Sequence, residues 1–206
     1  MANEPQMVSL GFTQQTFPAG VHVCQVFASE GERLHALLEF LRSGLQAGER
    51  TACFTEQLDE AHLDSYLAER NMSYGQLKES GTFSNAGTHD VYFQDGRFDP
   101  DRMLAILAQY HTDSVANGFP AARVIGEMTS EVQHVPGGSR LMEYESRVSL
   151  LLKEHPVTAV CQYNARAFDG ATIMQVLKVH PLMIIRGTVV HNPFYTPPEE
   201  YLARCC

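Results

Sequence analysis

The stretch of residues 20–57 constrains the fold of this chain more than any other part of its sequence. Val21–Phe27 and Thr51–Thr55 are apolar runs rich in β-branched and aromatic residues, and they predict two strands. Between them leucines recur at helical spacing, Ser29 offers a helix N-cap, and Gly48 is placed to end the helix. A strand, a helix and a strand with short connections form a βαβ unit, in which the two strands are parallel.

The rest of the chain continues this alternation of strands and helices. Further strands are predicted at Thr82–Ser84, Val91–Phe93, Ala122–Glu127 and Thr158–Tyr163, and a hairpin or one kinked strand at Met183–Arg186 and Thr188–His191. Helices are predicted over Ala61–Arg70 and after Asp99-Pro100, Ser139, Asp169 and Pro197-Pro198, and Asn71–Ser80 is predicted to hold a short turn. We therefore expect a leader over residues 1–19, one three-layer α/β domain over residues 20–202 with a mainly parallel sheet and helices on both faces, and a tail over residues 203–206.

Charge and composition disfavour several classes of protein. The formal net charge is -9 and the sequence contains no basic run, which argues against a nucleic-acid partner. No apolar run is long enough to span a membrane, and the first residues do not resemble a signal peptide, so we expect a cytoplasmic protein. Cys24, Cys53 and Cys161 lie in predicted strands, as reduced buried thiols do. The role of Cys205 and Cys206 is left open.

The loop after the first strand, FASEGERL, lies where a RecA-like ATPase carries its phosphate loop. Only Gly31 matches that loop, and the lysine and the magnesium-binding hydroxyl are absent. Glu30 and Glu32 would repel a phosphate. Three interpretations remain open: a helix cap with no other role, a ligand site made by the loop amides, and ATP hydrolysis, which is the least favoured.

Glu127 ends an apolar strand at the position of the acid that RecA-like ATPases use beside magnesium. A carboxylate that enters a sheet core is costly unless it is paired. Glu127 could contact a ligand or a proton, or it could form a salt bridge with Arg123 or Arg147. The sequence favours neither possibility.

Several histidine, cysteine and tyrosine side chains lie in or near the predicted strands and are candidates for a metal site or a thiol redox site: His22, Cys24, Cys161, Tyr163, His180 and His191. No C-x-x-C or H-x-x-x-H spacing is present, and scattered residues of these types usually belong to the core. We therefore predict no bound metal, with a metal or thiol redox sensor kept as an alternative.

Six segments in order resemble the MEDS family of sensory domains: HVCQVFASEGER…FLRSGLQAGER, RVIGEM, EYESRV, CQYN, HP and NPFYTPPEEYL. The resemblance covers about residues 20–202. The family is named after methanogens, methylotrophs and a dichloromethane-responsive regulator. The resemblance implies a degenerate RecA-like fold of the circadian-clock type. It also implies sensing of small molecules such as hydrocarbon derivatives, next to histidine kinases, transcription regulators or anti-sigma systems.

These observations together predict a non-enzymatic sensory domain that binds a neutral, hydrocarbon-derived small molecule and acts through a regulatory protein or by self-association. The main alternative to a small-molecule sensor is an ATP-binding protein with little or no hydrolysis, and a third is a pure interaction domain with no pocket. The sequence leaves any cofactor unknown. Because loops after parallel strands meet at one sheet edge, we expect a ligand pocket there. Its predicted residues are His22, Cys24, Ser29, Glu30, Gly31, Glu56, Glu127, Tyr163 and Asn164. The three carboxylates favour a neutral or cationic ligand.

Overall fold

A computed structural model describes residues 6–56 and 58–204 of the chain. The strands in this part are β1 (Met7–Ser9), β2 (Thr16–Pro18), β3 (His22–Phe27), β4 (Arg50–Phe54), β5 (Phe83–Ala86), β6 (Ala122–Met128), β7 (Val157–Asn164), β8 (Leu182–Ile185) and β9 (Thr188–His191). The helices are α1 (Glu30–Gln46), α2 (Glu60–Ala68), α3 (Tyr74–Glu79), α4 (Thr88–Tyr92), α5 (Pro100–Ala116), α6 (Leu141–Glu154), α7 (Gly170–Val179) and α8 (Pro198–Ala203).

Seven of these strands form the main sheet, in the order β5-β4-β6-β7-β3-β8-β9. Every neighbouring pair is parallel except β8 and β9, which form an antiparallel hairpin. The predicted mainly parallel sheet is therefore confirmed. The C-terminal ends of β3, β4, β6 and β7 meet at one edge, because these strands run in the same direction.

Helices cover both faces of the sheet. Leucines of α1 and α2 pack on Val23, Ile125 and Val160 on one face. Helices α5, α6 and α7 pack on the other face, against Val124 and Ala159. Side chains alternate along each strand, so each strand contributes to both cores. The three-layer architecture follows from this alternation.

Helix ends match the predicted caps at three positions and differ at one. Ser29 Oγ accepts the N–H of Glu32 at 3.3 Å, and the carboxylates of Asp99 and Asp169 cap α5 and α7. The predicted cap at Ser139 is wrong: a 3-10 turn over Gly138–Arg140 leads directly into α6, and the N-cap residue is Arg140.

Two other segments differ from the predictions. Val91–Phe93 is not a strand, because Val91 and Tyr92 complete the short helix α4 and Tyr92 is buried under the sheet at Gly126. The segment predicted as a turn after α2 contains helix α3, which Ser73 caps. In both cases tertiary packing overrides the local sequence pattern.

The first described residues form a hairpin, β1 with β2, that packs on α1. Ser43 Oγ of α1 donates a 2.7 Å hydrogen bond to the carbonyl of Ser9, and Leu10 is fully buried. Among the described helices, none is both long and apolar enough to cross a membrane. Cys205 and Cys206 lie outside the described residues.

Candidate functional site

A cluster of charged side chains occupies the C-terminal edge of the sheet, on the face that carries α1. Arg33, in the first turns of α1, turns its guanidinium towards this edge. Its Nε donates to Glu30 Oε1 at 2.7 Å, its second terminal nitrogen pairs with the same oxygen, and its first lies 3.4 Å from Glu127 Oε2. Thr55, just after β4, donates a 2.9 Å hydrogen bond to that oxygen of Glu127. One arginine therefore neutralises two of the carboxylates predicted for the ligand site.

The arginine is buried, but its carboxylate partners are not. The side chain of Arg33 is 1% exposed, whereas Glu127 is 18% and Glu30 57% exposed. Burial acts to lower the pKa of Arg33, but Glu30 and Glu127 outweigh it and the pKa lies above its ordinary value. Of the two possibilities left open for Glu127, the salt bridge is present, but with Arg33 and not with Arg123 or Arg147. Arg123 pairs with Glu49 instead.

Neighbouring polar groups fix the first turns of α1. The hydroxyl oxygen of Ser29 accepts a hydrogen bond from the amide of Glu32, as a helix N-cap does. Beneath the helix, Gln25 donates to the carbonyl of Glu32 at 3.3 Å, and Gln162 donates to that of Arg33 at 3.1 Å. The loop is thus held by the chain's own groups, and Gly31 lies exposed within the helix.

A groove of about 190 Å³ lies beside this cluster, between α1 and α2. Its polar groups are Glu30, Arg33, Asp59 and His62. Its apolar lining consists of Leu34, Leu38, Leu58 and Leu63. The groove combines an aliphatic wall with a few charged groups at one end, which is the usual composition of a small-molecule site.

Two other predicted residues of the sheet edge have local partners. Glu56 accepts a hydrogen bond from the amide of His89 at the start of α4. Asn164 accepts the N–H of Arg166 at 2.9 Å in the turn after β7. Both lie at the expected end of the sheet, and both serve local turns.

The sheet separates the remaining predicted residues from this edge cluster. His22, Cys24 and Tyr163 point to the opposite face, where α6 and α7 pack. At their centre lies Glu145 of α6, which is buried. The hydroxyl of Tyr163 donates a short hydrogen bond to Glu145 Oε1. Seven of the nine predicted residues therefore fall into two groups, one on each face, and Glu56 and Asn164 belong to local turns.

The second carboxylate oxygen of Glu145 faces three potential metal ligands. Oε2 lies 3.3 Å from His22 Nε2, 3.5 Å from His180 Nε2 and 3.7 Å from Cys161 Sγ. Cys161 Sγ is also 3.5 Å from His22 Nε2. We call His22, Glu145, Cys161 and His180 the buried donor cluster; each offers one atom, and these atoms lie within 4.8 Å of one another.

The protonation states within the cluster follow from burial. Burial, and then His180, lower the pKa of His22 to about 4, so this imidazole is neutral at neutral pH. Burial acts to raise the pKa of Glu145, but His180 and His22 outweigh it, and the carboxylate is ionised. Burial raises the pKa of Cys24 to about 12 and also raises that of Cys161. Cys24 is buried and Cys161 half-buried, and protonated thiols in such positions disfavour the thiol redox alternative.

Sequence reasoning missed Arg33 and Glu145, the two central residues. Arginines on helices are normally exposed, so nothing marked Arg33 as buried. Glu145 did carry a signal, because it follows Leu141 by four residues and precedes Val148 by three, which places it on the buried face of α6. His191, the other candidate ligand, is exposed on β9.

Comparisons with known proteins identify the family and the fold. One relative is the transcriptional repressor DcmR of Methylorubrum extorquens (strain DSM 6343 / CIP 106787 / DM4), which is 24% identical over 160 residues. That match covers 77% of this chain and 57% of DcmR, so the chain spans somewhat more than half the length of this relative.

Solved structures place the fold among RecA-like proteins. A KaiC-like protein of Pyrococcus horikoshii OT3 aligns with a TM-score of 0.58 and 13% identity, over 87% of this chain and 80% of the other. The flagellar accessory protein FlaH of Methanocaldococcus jannaschii aligns with a TM-score of 0.58 and 10% identity, over 90% and 84% of the two chains. These similarities establish the fold alone.

The family model for the methanogen/methylotroph, DcmR sensory domain matches residues 21–181, which contain both clusters. This match and the repressor relative support a sensory or regulatory role. The chain therefore belongs to the MEDS family of sensory domains.

Proposed function

We propose that this chain is a non-enzymatic sensory domain that binds a small neutral or cationic molecule beside Arg33 and signals through a regulatory protein partner. One observation carries the proposal: where a RecA-like ATPase binds phosphate, this chain places a buried guanidinium already paired with Glu30 and Glu127.

Phosphate binding requires free amides, a lysine and a magnesium-binding hydroxyl. Here the Ser29 hydroxyl already accepts the Glu32 amide, and the Arg33 guanidinium is occupied by Glu30 and Glu127. The carboxylate of Glu30, which is largely exposed, adds a repulsive charge. A triphosphate would have to displace these partners and then leave both carboxylates without a cation.

The groove between α1 and α2 favours a different ligand. Leucine side chains form much of its lining, and its volume of about 190 Å³ is below that of most drug-sized sites. An uncharged molecule with a short hydrocarbon part would bury that part against the leucines. A hydrogen-bond donor on it would bind Glu30 or Asp59, both of which line the groove.

A regulatory partner, such as a histidine kinase, an anti-sigma factor or a transcription factor, would receive the signal. The repressor DcmR extends beyond the part that matches this chain, so in that relative the matched part is one portion of a regulator. A ligand between α1 and α2 contacts two surface helices at once. Its binding would alter the face that these helices present to a partner or to a second copy.

The first test is a binding screen with the full chain. We expect native mass spectrometry to show a co-purified neutral molecule, or thermal-shift assays to select short alcohols, amines or haloalkanes over carboxylates and phosphates. Glu30→Gln should weaken binding at least about tenfold, because Glu30 lines the groove and a charge-assisted contact contributes roughly 1.5–3 kcal/mol. Glu79→Gln, an exposed carboxylate at the end of α3, is the matched control and should bind as the parent does.

Three outcomes would contradict the proposal. Phosphate release from ATP and magnesium at about 1 per second or faster would make the protein an enzyme. Equal binding by Glu30→Gln and the parent would place the ligand elsewhere. A strict monomer that retains no protein from its own cell extract, with and without ligand, would contradict the proposed output. Tyr163→Phe changes only the opposite face, so we expect it to leave this ligand's affinity unchanged.

A further inference from the structure

The buried donor cluster lies on the other face of the sheet from the groove and has the chemistry of a metal site. We propose that His22, Glu145, Cys161 and His180 bind one Zn²⁺ ion. This proposal is independent of the proposed small-molecule site. It differs from the prediction made from sequence, in which Glu145 had no part.

The spacing of the four donor atoms fits a tetrahedral ion. Bonds of 2.0–2.3 Å to nitrogen, oxygen and sulfur place the ligand atoms about 3.3–3.7 Å apart. Four of the six distances between donors already lie at 3.3, 3.5, 3.5 and 3.7 Å. The other two are no longer than 4.8 Å, so a small movement of His180 would complete the site.

Both imidazoles are oriented by hydrogen bonds at their other nitrogen. His180 Nδ1 donates to the carbonyl of Val176 at 2.8 Å, and His22 Nδ1 lies 2.9 Å from Ser149 Oγ. A carbonyl accepts only, so Nδ1 of His180 carries the proton and Nε2 is left to face the cluster. Such outer contacts are the usual support of metal-binding histidines.

One buried atom in the cluster makes no hydrogen bond. His180 is fully buried, and its Nε2 has no hydrogen-bond partner among the described residues, although it points to Glu145. Buried polar atoms are nearly always satisfied, so this atom requires an explanation. A bound ion would accept its lone pair. The hydroxyl of Tyr163 is hydrogen-bonded to the other oxygen of Glu145, so Oε2 is the oxygen of this carboxylate that would bind the ion.

The charges also balance when zinc is bound. Zn²⁺ binds the thiolate form of cysteine, so the Cys161 thiol would lose its proton to water on binding. One thiolate and one carboxylate then cancel the charge of the ion, and the buried complex is neutral overall. All four positions are filled by protein atoms, which is typical of a structural or regulatory zinc site.

The test compares two cysteines that face each other across neighbouring strands. Cys161 of β7 pairs in register with Cys24 of β3, and both point to this face of the sheet. The full chain, refolded with zinc and freed of excess metal, should retain one equivalent by mass spectrometry. Cys24→Ser should retain the same amount. Cys161→Ser should lose zinc at least tenfold more readily to a chelator.

Cobalt gives a second measurement that does not depend on a variant folding. In the parent protein, Co²⁺ at this site should produce a sulfur-to-cobalt charge-transfer band that zinc abolishes, and Cys24→Ser should keep it. Ser149→Ala removes the contact to His22 and the hydrogen bond between this hydroxyl and Tyr195, and it should weaken zinc binding about 10–100-fold. A parent that retains no zinc and gives no cobalt band would overturn the proposal. So would equal zinc loss from Cys24→Ser and Cys161→Ser.

Discussion

The face of the sheet that carries α1 holds two arginine–glutamate ion pairs, one at each end of β6. At the start of β6, Arg123 pairs with Glu49 through two hydrogen bonds of 2.7 Å, and the two side chains are 0% and 2% exposed. Its remaining nitrogen donates to the carbonyl of Phe40 at 3.0 Å. Each nitrogen of this guanidinium therefore makes at least one hydrogen bond inside the protein.

At the other end of β6, Glu127 belongs to a pair of different character. Arg33 is equally buried, but it divides its nitrogens between Glu30 and Glu127, and both carboxylates reach water. The contact to Glu127 is also longer, at 3.4 Å. The same two residue types therefore build one closed pair and one open pair on the same face.

Burial of the arginine does not distinguish the two pairs, because Arg123 and Arg33 are both buried; the exposure of their carboxylate partners does. A closed pair with all its hydrogen bonds made has no capacity left for a ligand, and it serves the fold. An open pair keeps lone pairs available at the surface, next to a groove, where a ligand can compete for them. The predictions below test this distinction by removing each arginine and by adding a methyl group near each pair.

The largest effect is expected for Arg123→Met. This change leaves the buried carboxylate of Glu49 without its cation, which typically costs about 3–5 kcal/mol. Urea denaturation followed by circular dichroism would measure the loss. The double variant Arg123→Met/Glu49→Leu should recover most of it, since two apolar residues can replace a buried pair. A loss below about 1 kcal/mol in the single variant would show that the pair is not closed.

A smaller effect is expected for Arg33→Met. Methionine can occupy the space of the aliphatic stem, and Glu30 and Glu127 can be hydrated where they reach water. We expect a loss of about 1–2 kcal/mol in the free energy of unfolding, from lost charge-assisted hydrogen bonds partly replaced by water. The same urea series measures it. A loss as large as that of Arg123→Met would remove the distinction between the two pairs.

The sequence predicted the frame of the molecule better than its sites. The four strands at Val21–Phe27, Thr51–Thr55, Ala122–Glu127 and Thr158–Tyr163 lie in one sheet as predicted, because β-branched runs between capping and turn residues are strong local signals. Val91–Phe93 is a similar run, but Tyr92 packs against Gly126, and Val91 and Tyr92 lie in helix α4.

The sites could not be found in the same way, because their partners are distant in sequence. Arg33 and Glu127 meet only when α1 packs over β6. The predicted edge pocket also assumed that residues at the ends of neighbouring strands share a cavity. Glu127 pairs in register with Gln162, the residue before Tyr163. Because side chains alternate along a strand, Glu127 and Tyr163 lie on opposite faces of the sheet. The alternation was visible in the sequence, but only the structure gives the register.

The smallest effect is expected for Gly31→Ala, which tests whether the loop keeps any requirement of a phosphate loop. A Cβ at Gly31 would contact nothing within 4 Å, and the residue lies in the first turn of α1. Alanine should therefore leave the protein unchanged or stabilise it by up to about 1 kcal/mol through helix propensity.

Gly44→Ala, in the same helix, is the matched comparison: its Cβ would lie 2.4 Å from Nε of Arg123. Overpacking of this kind costs about 1–3 kcal/mol. If Gly31→Ala proved as destabilising as Gly44→Ala in the same urea assay, the loop would need its glycine after all. The open pair beside it would then be part of a constrained backbone site instead of a groove bounded by side chains.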